Sequence, residues 1–304
     1  MVVKLPGCYA KGTKIMQIIS GSSNKLLAKK IAENTGYKLL NTEIRNFGDG
    51  ELRVEVQDKI EEDVIIVQST SSPVNDHLME LLLLIDTAKR AGARNIIGVI
   101  PYFGYSRQDR STYQHGPISA SLVVKLLEGA GITKIITLDL HSKQLEGVFN
   151  VPIFNFDPAS IFFPFYKNSQ EIVVVSPDIG GIARARNFCS LFGKDLAVIN
   201  KYRDTNNECF MSKIIGNVKN KKCIIIDDIV DSGNTLCKAA QLLKEHEALA
   251  IEAYVTHPVL SGNAKEKIML SPIDKIFVSD SIYHASLPDK FVTVFIDELL
   301  THKS

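Results

Sequence analysis

One stretch of the sequence places three acidic residues and a run of small residues directly after an apolar segment. Asp227 and Asp228 follow the apolar run that starts at Cys223, and Asp231 opens the turn Ser232-Gly233-Asn234-Thr235. A glycine lets backbone N–H groups close on an anion, and the helix predicted after the turn adds N–H groups and a favourable dipole. The pattern predicts a phosphate cradle preceded by carboxylates that bind sugar hydroxyls or a metal. The alternative is an ordinary strand–turn–helix with an acidic cap.

A doubly basic polar loop, Gly104–Arg110, follows another apolar run, which ends at Ile100. In α/β proteins, ligands bind at the carboxyl ends of parallel strands. Arg107 carries a planar guanidinium that suits phosphate oxygens, and Gln108 can read the edge of a base. The alternative is a solvated charged loop.

Other residues that could take part in binding or catalysis are scattered along the chain. Phe47 offers a stacking face, while Asp49 and Glu51 can accept hydrogen bonds from amino or hydroxyl groups. His141 and Asp178 each follow an apolar run, in equivalent places of the two halves. A lone histidine in such a place is also a common structural residue.

Two cations open a polar stretch without periodicity. Lys201 and Arg203 begin the segment Lys201–Lys213, which we expect to form a loop. A loop of this length inside a compact domain is often functional. The alternative is a pair of surface cations.

These residues need a regular framework to hold them. Continuous short apolar runs are typical of strands buried on both faces of a parallel sheet, and they predict strands at Ile15–Ser20, Val64–Gln68, Ile96–Ile100, Ile135–Asp139, Ile172–Ser176, Leu196–Ile199, Cys223–Asp227 and Ile251–Val255. Spacing of 3.6 residues predicts helices between them, at Lys25–Thr35, Asp76–Ala91, Ser119–Gly129 and Thr235–Glu247. Alternation of strands and helices predicts an α/β fold built from βαβ units.

The length of the chain indicates two domains. Its 304 residues compare with roughly 150 residues per domain, and a break is predicted near Asn150–Ser160, where Pro152 and Pro158 bracket a strand-like piece. We expect domains at residues 1–155 and 156–304, each a mostly parallel sheet flanked by helices.

The composition limits the partners and the compartment. Lys and Arg total 35 against 34 for Asp and Glu, a net charge of +1, so we expect neither nucleic acid nor a membrane as partner. The five cysteines are odd in number, widely spaced and form no Cys-x-x-Cys, which suits a reducing compartment. The N-terminus has no signal-peptide core, and the strongest apolar run, Leu81–Ile85, is too short to span a bilayer. We therefore expect a cytoplasmic protein.

The segment Cys223–Thr235 resembles the phosphoribosyl-pyrophosphate motif shared by phosphoribosyltransferases and ribose-phosphate pyrophosphokinases. Ser232-Gly233-Asn234-Thr235 is closer to the transferase form, so this segment alone leaves the reaction open. Arg107–Arg110 together with Leu138–His141 resembles the pyrophosphokinases specifically. The resemblance runs in that family's order from about Ile15 to the C-terminus, through Phe47–Glu51, Gln68–His77, Pro101–Arg110, Leu138–His141, Val175–Gly181 and Thr256–Gly262.

The resemblance implies a role for each candidate residue. It implies catalytic cations at Lys201 and Arg203, on a flexible loop, and Mg²⁺ ligands at His141 and Asp178. It implies an ATP site formed by Phe47, Asp49, Glu51, Arg107, Gln108 and Asp109, two of which come from another subunit's loop. It implies a ribose-5-phosphate site formed by Asp227, Asp228, Asp231, Ser232, Gly233, Asn234 and Thr235.

The resemblance also implies the reaction and the architecture. The expected reaction transfers the diphosphoryl group of Mg-ATP to the 1-hydroxyl of ribose 5-phosphate, giving 5-phosphoribosyl 1-diphosphate and AMP for nucleotide biosynthesis. The expected fold is type I phosphoribosyltransferase-like, with an N-terminal ATP-side domain and a C-terminal ribose-5-phosphate domain, in homo-oligomers built from dimers into hexamers. The alternatives are a phosphoribosyltransferase and a non-catalytic regulatory homologue, neither of which releases AMP from these substrates.

The C-terminal segment carries two further expectations. Phe291–Phe295 predicts a strand, and Asp297–His302 predicts the start of a helix that could pack on the N-terminal domain. Regulated members of the family continue with a Ser-Val-Ser-Tyr-Leu-Phe-like tail that this sequence lacks. We therefore expect weak ADP allostery, with ADP acting mainly by competition with ATP.

Overall fold

Two compact units make up the chain in the computed structural model, which describes residues 16–111, 113–162, 165, 172–203 and 209–301. For Lys201–Arg203 and residues 209–212 the description covers the backbone alone. The first unit runs up to Asp157 and also includes Ser281–Tyr283 and the chain from Ile296 onward. The second unit comprises Pro158–Asp280 and His284–Phe295.

The first unit is built on a parallel sheet whose central strands are continuous apolar runs. Its strands are β1 (Met16–Ser20), β2 (Lys38–Leu39), β5 (Asp63–Val67), β6 (Asn95–Ile100), β7 (Lys134–Leu138) and β8 (Ile153–Phe156), with β3 (Thr42–Asn46) and β4 (Leu52–Val56) forming a separate antiparallel hairpin. The main sheet has the order β2-β1-β5-β6-β7-β8, and every pairing in it is parallel. Parallel strands join through crossovers, here α1 (Lys25–Thr35), α2 (Val74–Arg90) and α3 (Ser119–Ala130), and a 3₁₀ helix spans Lys143–Val148.

The second unit has a seven-stranded sheet in the order β11-β10-β9-β12-β13-β14-β15. Among the described pairings of this sheet, β10–β11 is antiparallel and the others are parallel. The strands are β9 (Ile172–Ser176), β10 (Asp195–Arg203), β11 (Cys209–Ile215), β12 (Lys222–Val230), β13 (Ala250–Pro258), β14 (Lys275–Ser279) and β15 (Phe291–Val294). Its helices are α4 (Ala159–Phe162), α5 (Ile182–Phe192), α6 (Asn234–Glu245) and α7 (Ala264–Leu270).

The last helix, α8 (Asp297–Thr301), packs against α1 of the first unit. Asp297 accepts a hydrogen bond from the Asn34 side chain at 2.8 Å and lies 3.8 Å from the Lys30 ammonium. Leu300 is buried beside them. The chain therefore returns to its first unit after completing the second sheet.

The predicted α/β class with two mostly parallel sheets is confirmed. All eight predicted strands have counterparts within a few residues, although Ile15 lies outside the described residues. The hairpin β3–β4, the two-residue strand β2, strands β11 and β14, and helices α4, α5 and α7 were not predicted.

Two predicted boundaries are wrong in ways that affect the site. The segment Lys201–Lys213 is not a loop, because β10 extends to Arg203 and β11 begins at Cys209; residues 204–208 lie outside the described part. The polar residues before Cys209 concealed β11, although most of its own residues are apolar. Strand β12 continues to Val230, paired with Pro258, instead of ending at Asp227.

Candidate active site

The two adjacent acids of the cradle lie inside the carboxyl end of β12, the strand between β9 and β13. Asp228 is 5% exposed, and the Arg184 guanidinium of α5 lies 3.5 Å from its carboxylate. The Asp228 backbone N–H donates to the Asp227 carboxylate at 3.0 Å. The buried strand thus fixes both carboxylates at one point of the sheet edge, with a guanidinium nearby.

Burial and electrostatic repulsion act together on Asp227. Burial and the neighbouring Asp228 carboxylate hold the pKa of Asp227 well above its ordinary value, with a smaller contribution from Asp178 and an opposing one from Arg184. The site therefore has an excess of negative charge, which hydroxyl donors or a cation would stabilise.

Gly233 forms the turn between β12 and α6, with a φ of +75° at the N-cap of the helix. A side chain is disfavoured in this left-handed region. A Cβ at Gly233 would also lie 3.5 Å from both the Ala264 carbonyl oxygen and the Ile268 side chain. The turn consequently packs directly on α7 and leaves Asn234 and Thr235 exposed in the first turn of α6.

The segment after β13 supports the turn between β12 and α6. Sequence reasoning missed this support. Leu260 and Ser261 donate their backbone N–H groups to the carbonyl oxygens of Val230 and Asp231, at 2.9 and 3.1 Å. The Ser261 hydroxyl also donates to the Asp231 carboxylate. Because β13 is the neighbour of β12, the motif Thr256–Gly262 was the available signal.

A lysine of α7 also contacts the cradle. The Lys267 ammonium donates to the Asn234 side-chain oxygen at 2.9 Å. This contact places a cation beside the first turn of α6, in addition to the helix dipole. No pattern in the sequence linked these two residues.

Asp178 caps the turn between β9 and α5. Its carboxylate accepts the Gly181 N–H at 2.9 Å, and its carbonyl accepts the Ser176 hydroxyl at 2.7 Å. Since β9 is also a neighbour of β12, Asp178 is close enough to influence Asp227. The structure therefore brings Asp178 together with the predicted ribose-5-phosphate residues.

The basic loop of the first unit is tied to α3 and to the end of β7. Arg110 forms two hydrogen bonds with the Asp109 carboxylate, at 2.8 and 2.9 Å. These bonds lower the pKa of Asp109, as do weaker interactions with Ser142 and His141. Asp109 and His141 are therefore near each other, as expected for loops that follow adjacent strands.

Gln108 holds the start of α3 in place. Its side-chain oxygen accepts the Ser119 hydroxyl at 2.5 Å, and its carbonyl accepts the Ala120 N–H at 3.2 Å. The side-chain N–H₂ is the group left to read a base. Arg107, next to it, is exposed.

The hairpin β3–β4 presents the third group of predicted residues at its tip. The Phe47 N–H donates to the Glu51 carbonyl at 2.8 Å, and the Glu51 N–H donates to the Asp49 carboxylate at 3.1 Å. Phe47 is 51% exposed, so its ring offers a face for stacking. The tip belongs to its own two-stranded sheet, separate from the strands that carry the basic loop.

Lys201 and Arg203 lie in the part of β10 that pairs with β11 beyond the end of β9. Only their backbone is described, so the orientation of both side chains stays a prediction. Within the described residues there is no cluster of three or more His, Cys, Asp or Glu side chains suited to a metal. Among the helices that the structure describes, none is long and apolar enough to cross a membrane.

Two family models match the chain in succession. The N-terminal domain of ribose phosphate pyrophosphokinase matches residues 16–131, and the phosphoribosyl transferase domain matches residues 159–285. These matches cover both units and most of the predicted site residues.

Relatives match over nearly their whole length. The ribose-phosphate pyrophosphokinase of Thermosipho africanus is 45% identical over 290 residues, which are 94% of this chain and 92% of the relative. That of Helicobacter hepaticus is 44% identical over 269 residues, 88% of this chain and 87% of the relative. The crystal structure of phosphoribosylpyrophosphate synthetase from Mycobacterium smegmatis superposes with a TM-score of 0.88 at 31% identity, covering 94% of this chain and 96% of that chain.

Fold and site together define an α/β enzyme that contains a phosphoribosyl transferase domain. The chain belongs to the ribose-phosphate pyrophosphokinase family. It transfers the diphosphoryl group of ATP to the 1-hydroxyl of ribose 5-phosphate, giving 5-phosphoribosyl 1-diphosphate and AMP.

The raised pKa of Asp227 predicts a stabilising substitution. A carboxyl whose pKa is higher in the folded than in the unfolded chain makes stability fall as pH rises from the ordinary Asp pKa, about 3.9, through the raised value. Asp227→Asn should therefore unfold at a higher temperature than the wild type at neutral pH, and the gain should shrink toward pH 4. Thermal unfolding across pH measures this effect, with the exposed Asp289→Asn as control. A gain that is absent, or equal at all pH values, would contradict the electrostatic account.

Proposed function

We propose that ribose 5-phosphate binds at the carboxyl end of β12 and the N-terminus of α6. Asp227 and Asp228 accept hydrogen bonds from the ribose 2- and 3-hydroxyls, and the turn Asp231–Thr235 binds the 5-phosphate. The observation that carries this proposal is the pair of acids directly upstream of Gly233, whose left-handed backbone opens the helix N-terminus. Hydroxyl donors offset the excess negative charge at Asp227, and the helix dipole favours the phosphate.

The nucleotide site in this proposal uses the hairpin tip and the basic loop. The exposed Phe47 ring stacks on adenine, while Asp49 and Glu51 accept hydrogen bonds from the nucleotide. Arg107 binds phosphate oxygens through its planar fork. Asp109 holds Arg110 in a two-bond pair, which fixes the geometry of the loop.

Mg²⁺ is part of the proposal. His141 would contact it in the first unit and Asp178 in the second, where Asp178 and Asp228 both raise the pKa of Asp227. Magnesium prefers oxygen ligands and takes few of them from protein when phosphates are present. When bound, the ion neutralises charge on the phosphate oxygens.

Lys201 and Arg203 are the proposed catalytic residues. Diphosphoryl transfer depends on in-line positioning of the 1-hydroxyl against the β-phosphorus and on neutralising the negative charge that spreads during transfer. The ribose clamp positions the nucleophile, and the two cations of β10 meet the charge on the transferring group. We assign no general base among these residues.

Assembly into homo-oligomers, built from dimers into hexamers, is part of the proposal, as is a cytoplasmic location. An exposed apolar stripe on α3 supports the assembly. It consists of Ile118, the residue before the helix, and of Leu122 and Leu126 within it, spaced four residues apart. Their exposed fractions are 45, 55 and 42%. Burial of such a stripe against a second copy is favourable. The stripe begins beside Ser119, the contact of Gln108, so the interface would lie next to the nucleotide loop.

Lys201→Ala should separate binding from turnover. Because this cation acts on the transferring group, AMP release from ATP, ribose 5-phosphate and Mg²⁺ should fall by about 10²–10³-fold, while ribose 5-phosphate binds nearly as before. Lys219→Ala is the matched control. Lys219 lies just before β12, at the amino ends of the strands of the same sheet, so this variant should keep full activity. Near-wild-type turnover of Lys201→Ala would refute the assigned role.

Leu122→Asp should reduce the size of the assembly. Placing a charge in a buried apolar contact is costly, so light scattering after size-exclusion chromatography should give a smaller mass than for the wild type. Leu249→Asp, at another exposed leucine in the second unit, should leave the mass unchanged. An unchanged mass for Leu122→Asp would rule out α3 as the interface.

A further inference from the structure

Glu80 is a buried carboxylate that the proposed reaction does not use. It lies in α2 and is 2% exposed. One carboxylate oxygen accepts the Ser22 N–H at 2.6 Å and the Gln68 side-chain N–H₂ at 2.9 Å, and the other accepts the Ser22 hydroxyl at 2.6 Å. All three partners are donors. A glutamine here would replace one of the two acceptor oxygens with N–H₂, so the Ser22 hydroxyl would have to turn from donor to acceptor and the charge-assisted bonds would be lost.

Gln68 connects Glu80 to the residues at the end of β5. It is fully buried, and its side-chain oxygen accepts both the N–H and the hydroxyl of Ser23, at 3.1 and 2.7 Å. The Ser23 hydroxyl in turn accepts the Ser69 N–H at 2.8 Å. A Cβ added at Gly21 would overlap the Gln68 side chain, so the backbone after β1 packs directly on this network.

The loop Gln68–Ser71 then fixes the backbone that begins the basic loop. The Ser69 hydroxyl accepts the Tyr102 N–H at 3.2 Å, and the Thr70 hydroxyl accepts the Gly104 N–H at 2.6 Å. The Thr70 N–H donates to the Tyr102 carbonyl at 2.9 Å. A Cβ at Gly104 would overlap the Thr70 carbonyl oxygen. The two loops are therefore in direct contact along their backbones.

A second contact between these segments lies at Tyr105, two residues before Arg107. The Tyr105 hydroxyl donates to the Asn75 side chain, and the φ of Tyr105 is +65°. A non-glycine residue persists in this left-handed region only where its surroundings hold it there. The motif Gln68–His77 thus contacts the basic loop at both Gly104 and Tyr105.

We propose that Glu80 is a positioning residue for the nucleotide: through Gln68, Ser69 and Thr70 it fixes the backbone at Tyr102–Gly104 that places Arg107 and Asp109. This inference rests on the proposed nucleotide site and gives a function to the motif Gln68–His77. Glu80 touches no substrate. Its effect is confined to the first unit, whereas the ribose-5-phosphate residues belong to the second.

Glu80→Gln tests the proposal in the full-length protein. A misplacement of about 1 Å in a positioned group can cost 10²-fold, so we expect the KM for ATP to rise about tenfold or more while the KM for ribose 5-phosphate stays within about twofold. Thr70→Val breaks the same network further along without changing charge and should give the same split. In the double variant the two effects should not add, since both act through one chain of contacts.

Glu128→Gln is the matched control. Glu128 also accepts backbone N–H groups, from Asn150 at 2.6 Å and Val151 at 3.2 Å. These two residues lie just before β8, at the amino ends of the strands and not at the carboxyl ends where the basic loop lies. Glu128→Gln should lower the unfolding temperature without changing the KM for ATP. If Glu80→Gln behaves like Glu128→Gln, or raises both KM values equally, the positioning role is wrong.

Arg107→Ala distinguishes a failure of the Glu80 positioning role from a failure of the proposed nucleotide site. A raised KM for ATP in Arg107→Ala with an unchanged one in Glu80→Gln would overturn the relay and leave the nucleotide site in place. An unchanged KM for ATP in both variants would overturn the nucleotide site, and the positioning role with it.

Discussion

Two adjacent carboxylates buried at the end of a strand are the constraint on which the proposed sugar site of the second unit depends. Asp227 and Asp228 are held together because β12 lies between β9 and β13, with no freedom to separate. Arg184, at 3.5 Å from Asp228, offsets part of the charge. The rest is available to a ligand that brings hydroxyl donors. In the proposed binding mode, the site gives up stability in the free protein for affinity toward the sugar.

The two units use the same strand–turn–helix geometry in opposite ways. At the turn between β1 and α1, the Ser22 N–H and hydroxyl donate to the protein's own carboxylate, Glu80. At the turn between β12 and α6, Gly233 and the first turn of α6 face the carboxyl edge of the sheet, where substrate phosphate is proposed to bind. An internal carboxylate makes the first turn part of the scaffold, whereas the second turn is the one proposed to bind the substrate phosphate.

The sequence predicted those parts of the molecule that depend on interactions between residues close together along the chain. Continuous apolar runs identified the buried strands, and Asp227 to Thr235 identified the strand–turn–helix that we propose as the ribose cradle, because these elements follow one another along the chain. The hairpin β3–β4 and the β10–β11 pairing escaped prediction because charged and polar residues interrupt their apolar ones, as where Leu52, Val54 and Val56 alternate with Arg53 and Glu55. Glu80, Ser261 and Lys267 escaped because each acts on a residue distant in the sequence. A glutamate in a helical pattern gives no sign that it is buried.

The central claim is that the acids of β12 bind the sugar, and calorimetric titration of ribose 5-phosphate into the free enzyme tests it most directly. The wild type should bind ribose 5-phosphate without ATP. Asp228→Asn keeps the size of the side chain but removes its charge, and should weaken binding by about tenfold or more, because a hydrogen bond to a charged group contributes roughly 1.5–3 kcal/mol. Equal affinity in Asp228→Asn and the wild type would contradict the account.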